Sequence, residues 1–195
     1  MAWSTPKGFN FRSTSGYVTD GSNETYVVLA DTYPTSRSVG GESVTFGTQN
    51  DLSGTNDFEN RDSGIDRRLA GVMYADGTDG GTWEFRVDLP SAGDYKIRVA
   101  LGDAGTAQPS QKLAIYDDST LKVTIDPASV AIDEWSDATE VVLNATTWPT
   151  TNAQITLTFA STICIFRIGN SDAFTTLAHV EIEPAVAARR FLLVR

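Results

Sequence analysis

The fold class is decided by residues 81–103, which read GTWEFRVDLPSAGDYKIRVALGD. Apolar side chains take every second position before the turn at 90–94 and again after it, and charged side chains fill most positions between them. Such an alternation predicts strands that bury one face and leave the other in water. Because a Pro/Gly turn joins the two runs, the pattern predicts an antiparallel hairpin.

Shorter runs of strand character recur along the rest of the chain, separated by turn residues. This rhythm predicts an all-β protein, an antiparallel β-sandwich of jelly-roll type. The best helix candidate is one short turn at 65–70. Loop-rich segments at 47–64 and 74–81 are expected at one end of the sandwich, where binding sites are usually mounted. The predicted strands outside the hairpin are Tyr26–Ala30, Ser43–Phe46, Lys112–Tyr116, Leu121–Ile125, Glu140–Leu143, Gln154–Phe159, Ile163–Ile168 and Ala178–Ile182.

Length and charge limit the function classes. The 195 residues, 41% of them hydrophobic, suit one sizeable domain. A formal net charge of −10 argues against nucleic-acid binding, since an acidic surface repels phosphate. No apolar run is long enough to span a bilayer, so we expect no membrane partner. The N-terminus lacks a secretory signal pattern, which leads us to expect assembly in a cytoplasm.

The two ends of the chain differ from its body. We expect an N-terminal arm over 1–7, a sandwich domain over 8–183 and a C-terminal tail over 184–195. Residues 185–195 contain three arginines, no acidic residue and an apolar run of four. Two interpretations stay open: a last strand of this domain, or a peptide that docks on a neighbouring subunit. The candidate docking residues are Trp3, Arg189, Arg190, Phe191, Leu192, Leu193 and Arg195.

Catalytic patterns are weak. A Ser-His-Asp triad needs a histidine. The single one, His179, lies in a strand pattern, and we interpret it as a structural residue at a sheet edge or facing a loop, not as a catalytic one. The single cysteine, Cys164, excludes an internal disulfide and is interpreted as a small buried hydrophobe. Most aspartates lie in turns, where Asp bonds the local backbone. We therefore predict no catalytic residue, no metal site and no cofactor, with a structural Ca²⁺ in the loops 57–60 or 76–79 left open.

Several short motifs together resemble the galactose-binding-like β-sandwich modules found beside rhamnogalacturonan lyases and acetylesterases, and more distantly malectin-type domains. The closest match joins Phe85–Pro90 to Gly93-Asp94-Tyr95 and Leu101-Gly102-Asp103. The layout is also similar to stand-alone virion proteins of tailed bacteriophages that contain such a module. The other matching elements are Gly8-Phe9-Asn10-Phe11, Thr45-Phe46-Gly47, Arg61–Leu69 and Leu177–Ile182.

One charged loop has two interpretations. Arg61-Asp62 and Asp66-Arg67-Arg68 can form bidentate ion pairs that pin a long loop to the sandwich. Alternatively, Arg and Asp bind sugar hydroxyls while a loop aromatic stacks on the ring. The candidate glycan-binding residues are Tyr33, Phe58, Asp62, Arg67 and Tyr74.

The resemblance implies a binding or building role. Our first hypothesis is a non-catalytic virion structural protein of a tailed phage, a capsid decoration or cement protein. Its partners would be the major capsid protein or other virion subunits, and copies of itself in a homo-oligomer such as a trimer. The alternatives are a glycan-binding adhesion module, on a virion or secreted, with a host-surface glycan as ligand, and an enzyme acting on polysaccharide.

Overall fold

A computed structural model describes residues 3–11, 17–19, 24–28, 32–49, 58–60, 69, 71–75, 82–108, 110–127, 129–144, 153–169 and 175–185. In these ranges the ordered elements are strands and turns, without a helix. No helix long and apolar enough to cross a membrane occurs in this part of the chain. The short helical turn predicted at 65–70 lies outside the described residues, apart from the buried Leu69.

Sixteen strands are found in the described residues, and they confirm the all-β class. Their bounds are β1 Lys7–Phe11, β2 Tyr17–Thr19, β3 Glu24–Val28, β4 Thr35–Val39, β5 Glu42–Gln49, β6 Phe58–Asn60, β7 Gly71–Ala75, β8 Trp83–Asp88, β9 Gly93–Leu101, β10 Leu113–Asp117, β11 Thr120–Ile125, β12 Glu134–Ser136, β13 Val142–Asn144, β14 Ile155–Phe159, β15 Ile163–Ile168 and β16 Thr175–Pro184.

The strands form two sheets that face each other as a β-sandwich. The six-stranded sheet has the order β11-β10-β15-β8-β5-β4. The ten-stranded sheet has the order β13-β12-β9-β16-β1-β3-β2, with β14 beside β9, β7 beside β16 and β6 beside β7. Among the strand pairs of the described residues, β1 with β3 alone runs parallel. The sandwich is therefore antiparallel with one local exception.

The hairpin predicted at 81–103 is wrong, although its two strands and their buried faces are confirmed. Strand β8 pairs with β5 and β15 in the six-stranded sheet. Strand β9 pairs with β16, β14 and β12 in the other sheet. The turn between them is thus a crossover from one sheet to the other. Alternation identifies the buried face of a strand, and both strands bury theirs in the same core from opposite sides.

A cluster of phenylalanine rings joins the two sheets. The Phe85 ring of β8 meets Phe9 and Phe11 of β1 edge-on, at centroid distances of 5.1 and 5.0 Å. Phe46 of β5 contacts Phe9 at 5.1 Å. All four side chains are 0% exposed. Edge-to-face packing of this kind stabilises a core beyond the area it buries.

Residues 3–7 are packed into the sandwich, which corrects the predicted N-terminal arm for that part of 1–7. Trp3 is only 8% exposed and lies edge-on to Tyr95, with centroids 6.2 Å apart. Lys7 opens β1 and is fully buried, and its Nζ donates to Glu42 at 2.5 Å and to Thr5 at 2.9 Å. Trp3 is therefore a core residue of its own chain, not a docking residue for a partner.

The C-terminal strand lies in the middle of the ten-stranded sheet. β16 contacts β9 on one side and β1 and β7 on the other. It ends at Pro184, and the Ala185 amide donates to Asp94 O at 2.8 Å. The predicted tail residues 186–195 lie outside the described part of the chain.

Replacing Phe85 with alanine is expected to destabilise the protein by about 3–5 kcal/mol, because the cavity would open where both sheets meet. Leu121→Ala is the matched control: Leu121 is 51% exposed, so its loss should change stability by less than about 0.5 kcal/mol. Denaturant unfolding of both variants measures this, and equal destabilisation would show that Phe85 does not have the central role assigned to it.

Glu42→Gln tests the ion pair at the start of β1. The hydrogen bond from Lys7 lowers the pKa of Glu42. A carboxyl with a lowered folded-state pKa contributes stability above its unfolded pKa and loses it as pH falls through the folded value. Glu42→Gln should therefore cost about 1–3 kcal/mol at pH 7, because it leaves a buried ammonium unpaired. The difference from wild type should shrink in acid.

Lys7→Met is the control for that experiment. It removes the buried ammonium and leaves Glu42, whose side chain is 29% exposed and can be hydrated. An apolar side chain in the core needs no charged partner. Lys7→Met should therefore be better tolerated at pH 7 than Glu42→Gln. Unfolding midpoints between pH 2 and 8 compare the variants, and a more stable Glu42→Gln would contradict the assignment.

Candidate functional site

The outer face of the six-stranded sheet carries an ordered group of polar and aromatic side chains. Phe85 and Val87 point into the core, so Glu84, Arg86 and Asp88 lie on the opposite face of β8. On the neighbouring strand β15, Ile165 and Arg167 lie on the same outer face. We call this surface the tyrosine–arginine face and define it by Tyr33, Glu84, Arg86, Asp88, Tyr116, Ile165 and Arg167.

One end of this face is a closed cluster of three residues. The Arg86 guanidinium lies over the Tyr33 ring, 4.1 Å from its centroid. Arg86 Nε donates to Asp88 Oδ1, and the Tyr33 hydroxyl donates to Asp88 Oδ2, both at 2.9 Å. Partial burial, together with the hydrogen bond to Asp88, raises the pKa of Tyr33. The phenol is therefore held as a neutral donor.

Gly47 is the residue that allows Tyr33 to reach this position. The Tyr33 amide donates to Thr48 O at 3.0 Å, so the segment at Thr32–Tyr33 crosses directly over β5. A Cβ at Gly47 would lie 2.4 Å from Tyr33 N, and the φ of +153° also disfavours other residues. Gly47 pairs with Arg86, which places Tyr33 above that side chain.

A second cluster of similar composition occupies the other end. The Arg167 guanidinium lies 4.3 Å from the centroid of the Tyr116 ring, and its Nη1 donates to the Tyr116 hydroxyl at 3.0 Å. Arg167 Nε donates to Glu84 Oε1 at 2.6 Å. Glu84 is only 6% exposed, so the arginine covers its carboxylate. Both ends of the face thus combine a tyrosine, an arginine and a carboxylate.

The two clusters lie in one row across the sheet. Ile165 is in register with Arg86 on one side and with Tyr116 on the other. Gly47, beneath Tyr33, is three strand spacings from Tyr116, about 14 Å. The row therefore presents two partly exposed rings, with donors and acceptors fixed beside each and an apolar side chain between them.

Two of the five glycan-binding residues predicted from sequence, Tyr33 and Tyr74, can be placed, and they lie on different faces of the sandwich. Tyr33 lies on the tyrosine–arginine face. Tyr74 lies on β7 of the other sheet, next to the buried Met73 and hence on the outward side of that sheet. Phe58 begins β6, where its backbone pairs with Met73. The Phe58 side chain, Asp62 and Arg67 lie outside what the structure describes.

The docking residues predicted in the tail cannot be placed. Arg189, Arg190, Phe191, Leu192, Leu193 and Arg195 all lie outside the described residues. Sequence reasoning did not single out Arg86, Tyr116 or Arg167. The alternating charges of 84–88 indicated that this side of β8 faces outward. They did not indicate that Arg86 would pack against a tyrosine from a distant part of the chain.

The two residues that could have served as a catalytic base or nucleophile, His179 and Cys164, are both buried. His179 is 2% exposed in the central strand β16, between Asn10 of β1 and Ala100 of β9. His179 therefore lies in the middle of the sheet, which corrects the predicted position at a sheet edge or facing a loop. Burial raises the pKa of the Cys164 thiol well above its usual value, with Asp117 adding to the effect. A thiol held in its protonated form is a poor nucleophile.

The carboxylates of Asp117 and Asp137 bind backbone amides. Asp117 accepts from the Ala160 and Ser161 amides at 2.7 and 3.0 Å. Burial raises the pKa of Asp117, but the hydrogen bonds from Ser161 and Ala160 outweigh it and leave the pKa lowered. Asp137 accepts from the Thr139 and Ala153 amides, both at 2.8 Å. Each carboxylate pins one turn to another.

Metal binding finds no support in the described residues, where no group of three or more His, Cys, Asp or Glu side chains could hold an ion. The structure does not test the two loops in which a Ca²⁺ site was left open. Residues 57 and 76–79 lie outside the described part of the chain, and at 58–60 only the backbone is described.

No protein-family model matches the sequence, and no curated protein sequence matches it significantly. Among solved structures, the chain is similar to a Bacteroides uniformis beta-glucuronidase, with 11% identity and a TM-score of 0.48 over 93% of this chain and 18% of that enzyme. A Podospora anserina GH26-CBM35 β-(1,4)-mannanase gives 10% identity and a TM-score of 0.38 over 73% of this chain and 28% of that one.

A third similar structure is the CBM36-1 domain of a multidomain xylanase from the hindgut metagenome of Trinervitermes trinervoides. It gives 8% identity and a TM-score of 0.35 over 73% of this chain and all of that domain. This chain therefore spans less than a third of the two enzymes and the full length of the isolated domain. TM-scores below 0.5 assign no family, so the sandwich is established by this chain's own strands.

Proposed function

We propose that this chain is a non-catalytic β-sandwich module that binds carbohydrate through the tyrosine–arginine face. The observation that carries the proposal is the pair of tyrosine rings, each fixed by an arginine and a carboxylate on one outer face. Sugars combine apolar C–H faces with dense hydroxyl groups. Aromatic rings with a few well-placed polar groups are the usual lining of a small-molecule site.

The preorganisation of the face supports this role. Arg86 and Asp88 bond to each other, as do Arg167 and Glu84, before any ligand arrives. Side chains that are already ordered lose little entropy on binding. Both arginines are neutralised by their carboxylates, so the face suits an uncharged hydroxyl-rich ligand better than a highly charged one.

The spacing of the carboxylates supports a binding role over glycoside hydrolysis. Glu84 and Asp88 are four residues apart on β8, which is about 13 Å along a strand. The acid and its partner in glycosidases are about 5–9.5 Å apart. Each carboxylate is also bonded to an arginine, so the oxygens that would act on a glycosidic bond are already engaged by a side chain of the same face. The polysaccharide-acting enzyme is accordingly the weaker alternative.

Tyr116→Ala and Tyr33→Ala are expected to weaken binding of a glycan ligand at least tenfold, which corresponds to about 1.4 kcal/mol. Tyr74→Ala, on the opposite side of the sandwich, is the matched control and should bind within twofold of wild type. A glycan array identifies the ligand, and calorimetric titration of folded variants gives the affinities. A blank array, or a loss of binding in Tyr74→Ala alone, would refute the proposal.

We also propose, as a second candidate, that the module serves as a capsid decoration or cement protein of a tailed phage. The specific observation is a contrast of charge: the chain as a whole is acidic, with a net charge of −10, whereas the residues that follow β16 are basic and apolar. A basic segment attached to an acidic body suits capture by another virion subunit, since opposite charges promote specific association.

Deleting residues 186–195 should preserve the sandwich, because β16 is complete at Pro184, and should abolish incorporation into particles. Mass spectrometry of purified particles measures the copy number of wild type and truncated protein, and circular dichroism confirms the fold. Full incorporation of the truncated chain, or absence of the wild-type protein from particles, would exclude this role for the tail.

A further inference from the structure

Part of the tyrosine–arginine face forms a row that continues to the edge of the sheet. Arg86 packs against the Tyr33 ring and is in register with Ile165. Ile165 is in register with Tyr116, and Tyr116 is in register with Leu121 of the edge strand β11. Residues that face each other in this way lie along a line across the strands. We call Tyr33, Arg86, Ile165, Tyr116 and Leu121 the central row.

Leu121 adds an exposed apolar side chain beyond Tyr116. Directly opposed residues of an antiparallel pair have their side chains on the same face, so Leu121 lies on the outer face with Tyr116. A shift of register at this point lets Leu121 turn outward, although Val123 packs against the core. Leu121 is 51% exposed. The row therefore extends past Tyr116 by one strand spacing, about 5 Å.

The two tyrosines are too far apart for one monosaccharide. Three strand spacings, about 14 Å, separate the strand beneath Tyr33 from the strand of Tyr116. A sugar ring is similar in size to a phenol ring, so one monosaccharide covers one tyrosine and leaves the other in water. Both tyrosines are only partly exposed, with an arginine packed against each ring. One ring alone therefore offers a small contact, and a chain of several sugars is needed to use both.

The straightness of the row limits the shape of such a chain. The pairs from Arg86 through Ile165 to Tyr116 run without a shift of register. A chain that contacts both rings must therefore be extended over that distance. Chains of β-1,4-linked glucose are extended and have flat C–H faces, because every ring substituent is equatorial. Chains of α-1,4-linked glucose coil, so they leave the row before they reach the second tyrosine.

The charges of the face favour an uncharged chain. Each arginine of the face is bonded to a carboxylate of the same face. Lys122, next to Leu121, interacts electrostatically with Asp117. The chain as a whole has a net charge of −10, which repels anions. An acidic polysaccharide would therefore meet cations that are already neutralised, on a protein that repels it.

We propose that the central row binds an extended, uncharged polysaccharide of the β-1,4-glucan type, which lies across the strands and contacts Tyr33 and Tyr116 together. The bound chain passes over Ile165 and continues past Leu121. The proposal rests on the carbohydrate-binding role given above, to which it adds the class of ligand and its direction on the sheet. Linking two weak contacts in one ligand increases the affinity, because the second contact forms at a high effective concentration.

Calorimetric titration of the full chain with cello-oligosaccharides of two to six glucose units tests the bridging. The affinity should increase at least tenfold from cellobiose to cellohexaose, with one cellohexaose bound per chain. Maltohexaose, which has the same composition but coils, and hexagalacturonate, which is unbranched but anionic, are the matched control ligands. Each should bind at least tenfold more weakly than cellohexaose.

Substitution of either tyrosine should remove the dependence on length. In Tyr33→Ala and in Tyr116→Ala, cellohexaose should bind within about threefold of cellobiose, because a single ring gains nothing from a longer chain. Tyr74→Ala, on the other sheet, is the matched control variant and should keep the wild-type dependence on length. Thermal unfolding midpoints show which variants are folded, and either tyrosine variant decides the question if the other does not fold.

The outcomes separate this proposal from the proposed function. Equal affinities for cellobiose and cellohexaose, or an unchanged dependence on length in both tyrosine variants, would overturn the bridging chain and leave carbohydrate binding standing. Stronger binding of maltohexaose or hexagalacturonate would do the same, as would a glycan array that identifies a ligand while cellohexaose does not bind. An array without any ligand would refute both.

Discussion

The packing of Phe85 between the two sheets is the interaction on which the rest of the structure depends. Its ring contacts Phe9 and Phe11 across the core and lies 6.1 and 6.3 Å from Phe46 and Phe166 within its own sheet. Side chains alternate along a strand, so an inward Phe85 forces its neighbours outward. A slip of one residue would exchange the two faces of β8. The core contact therefore also fixes the tyrosine–arginine face.

The sequence allowed the strand faces to be predicted but not the strand partners. In residues 81–103 the inward side chains are the ones that the alternation indicates, from Trp83 to Leu101. A hairpin and a crossover between sheets require the same alternation, so the period alone could not distinguish them. The polar edge strand β4, Thr-Ser-Arg-Ser-Val, and the short β1 gave no clear strand signal, because neither alternates over enough residues.

The candidate site was harder to predict for a related reason. Tyr33 was expected to be a ligand-binding aromatic, but its partners Arg86 and Asp88 lie more than fifty residues away in the sequence. They meet only because Gly47 pairs with Arg86 and allows the backbone at Tyr33 to pass over it. Register between distant strands is a property of the assembled sheet. Trp3 was mispredicted for the opposite reason. It lies near the N-terminus and outside any strand, yet it is buried in the core like the aromatic residues of the strands.

The position of β16 has a consequence for biosynthesis. This strand is the last in the described chain, yet it lies between β9 and β1 and pairs with residues near the N-terminus, such as Lys7 with Ile182. Until it leaves the ribosome, the ten-stranded sheet has no centre, and both β1 and β9 present open edges. Assembly of this sheet must therefore wait until residues 175–184 have been synthesised, and pairings so distant in sequence form slowly. The nascent protein is exposed to misassociation during that interval.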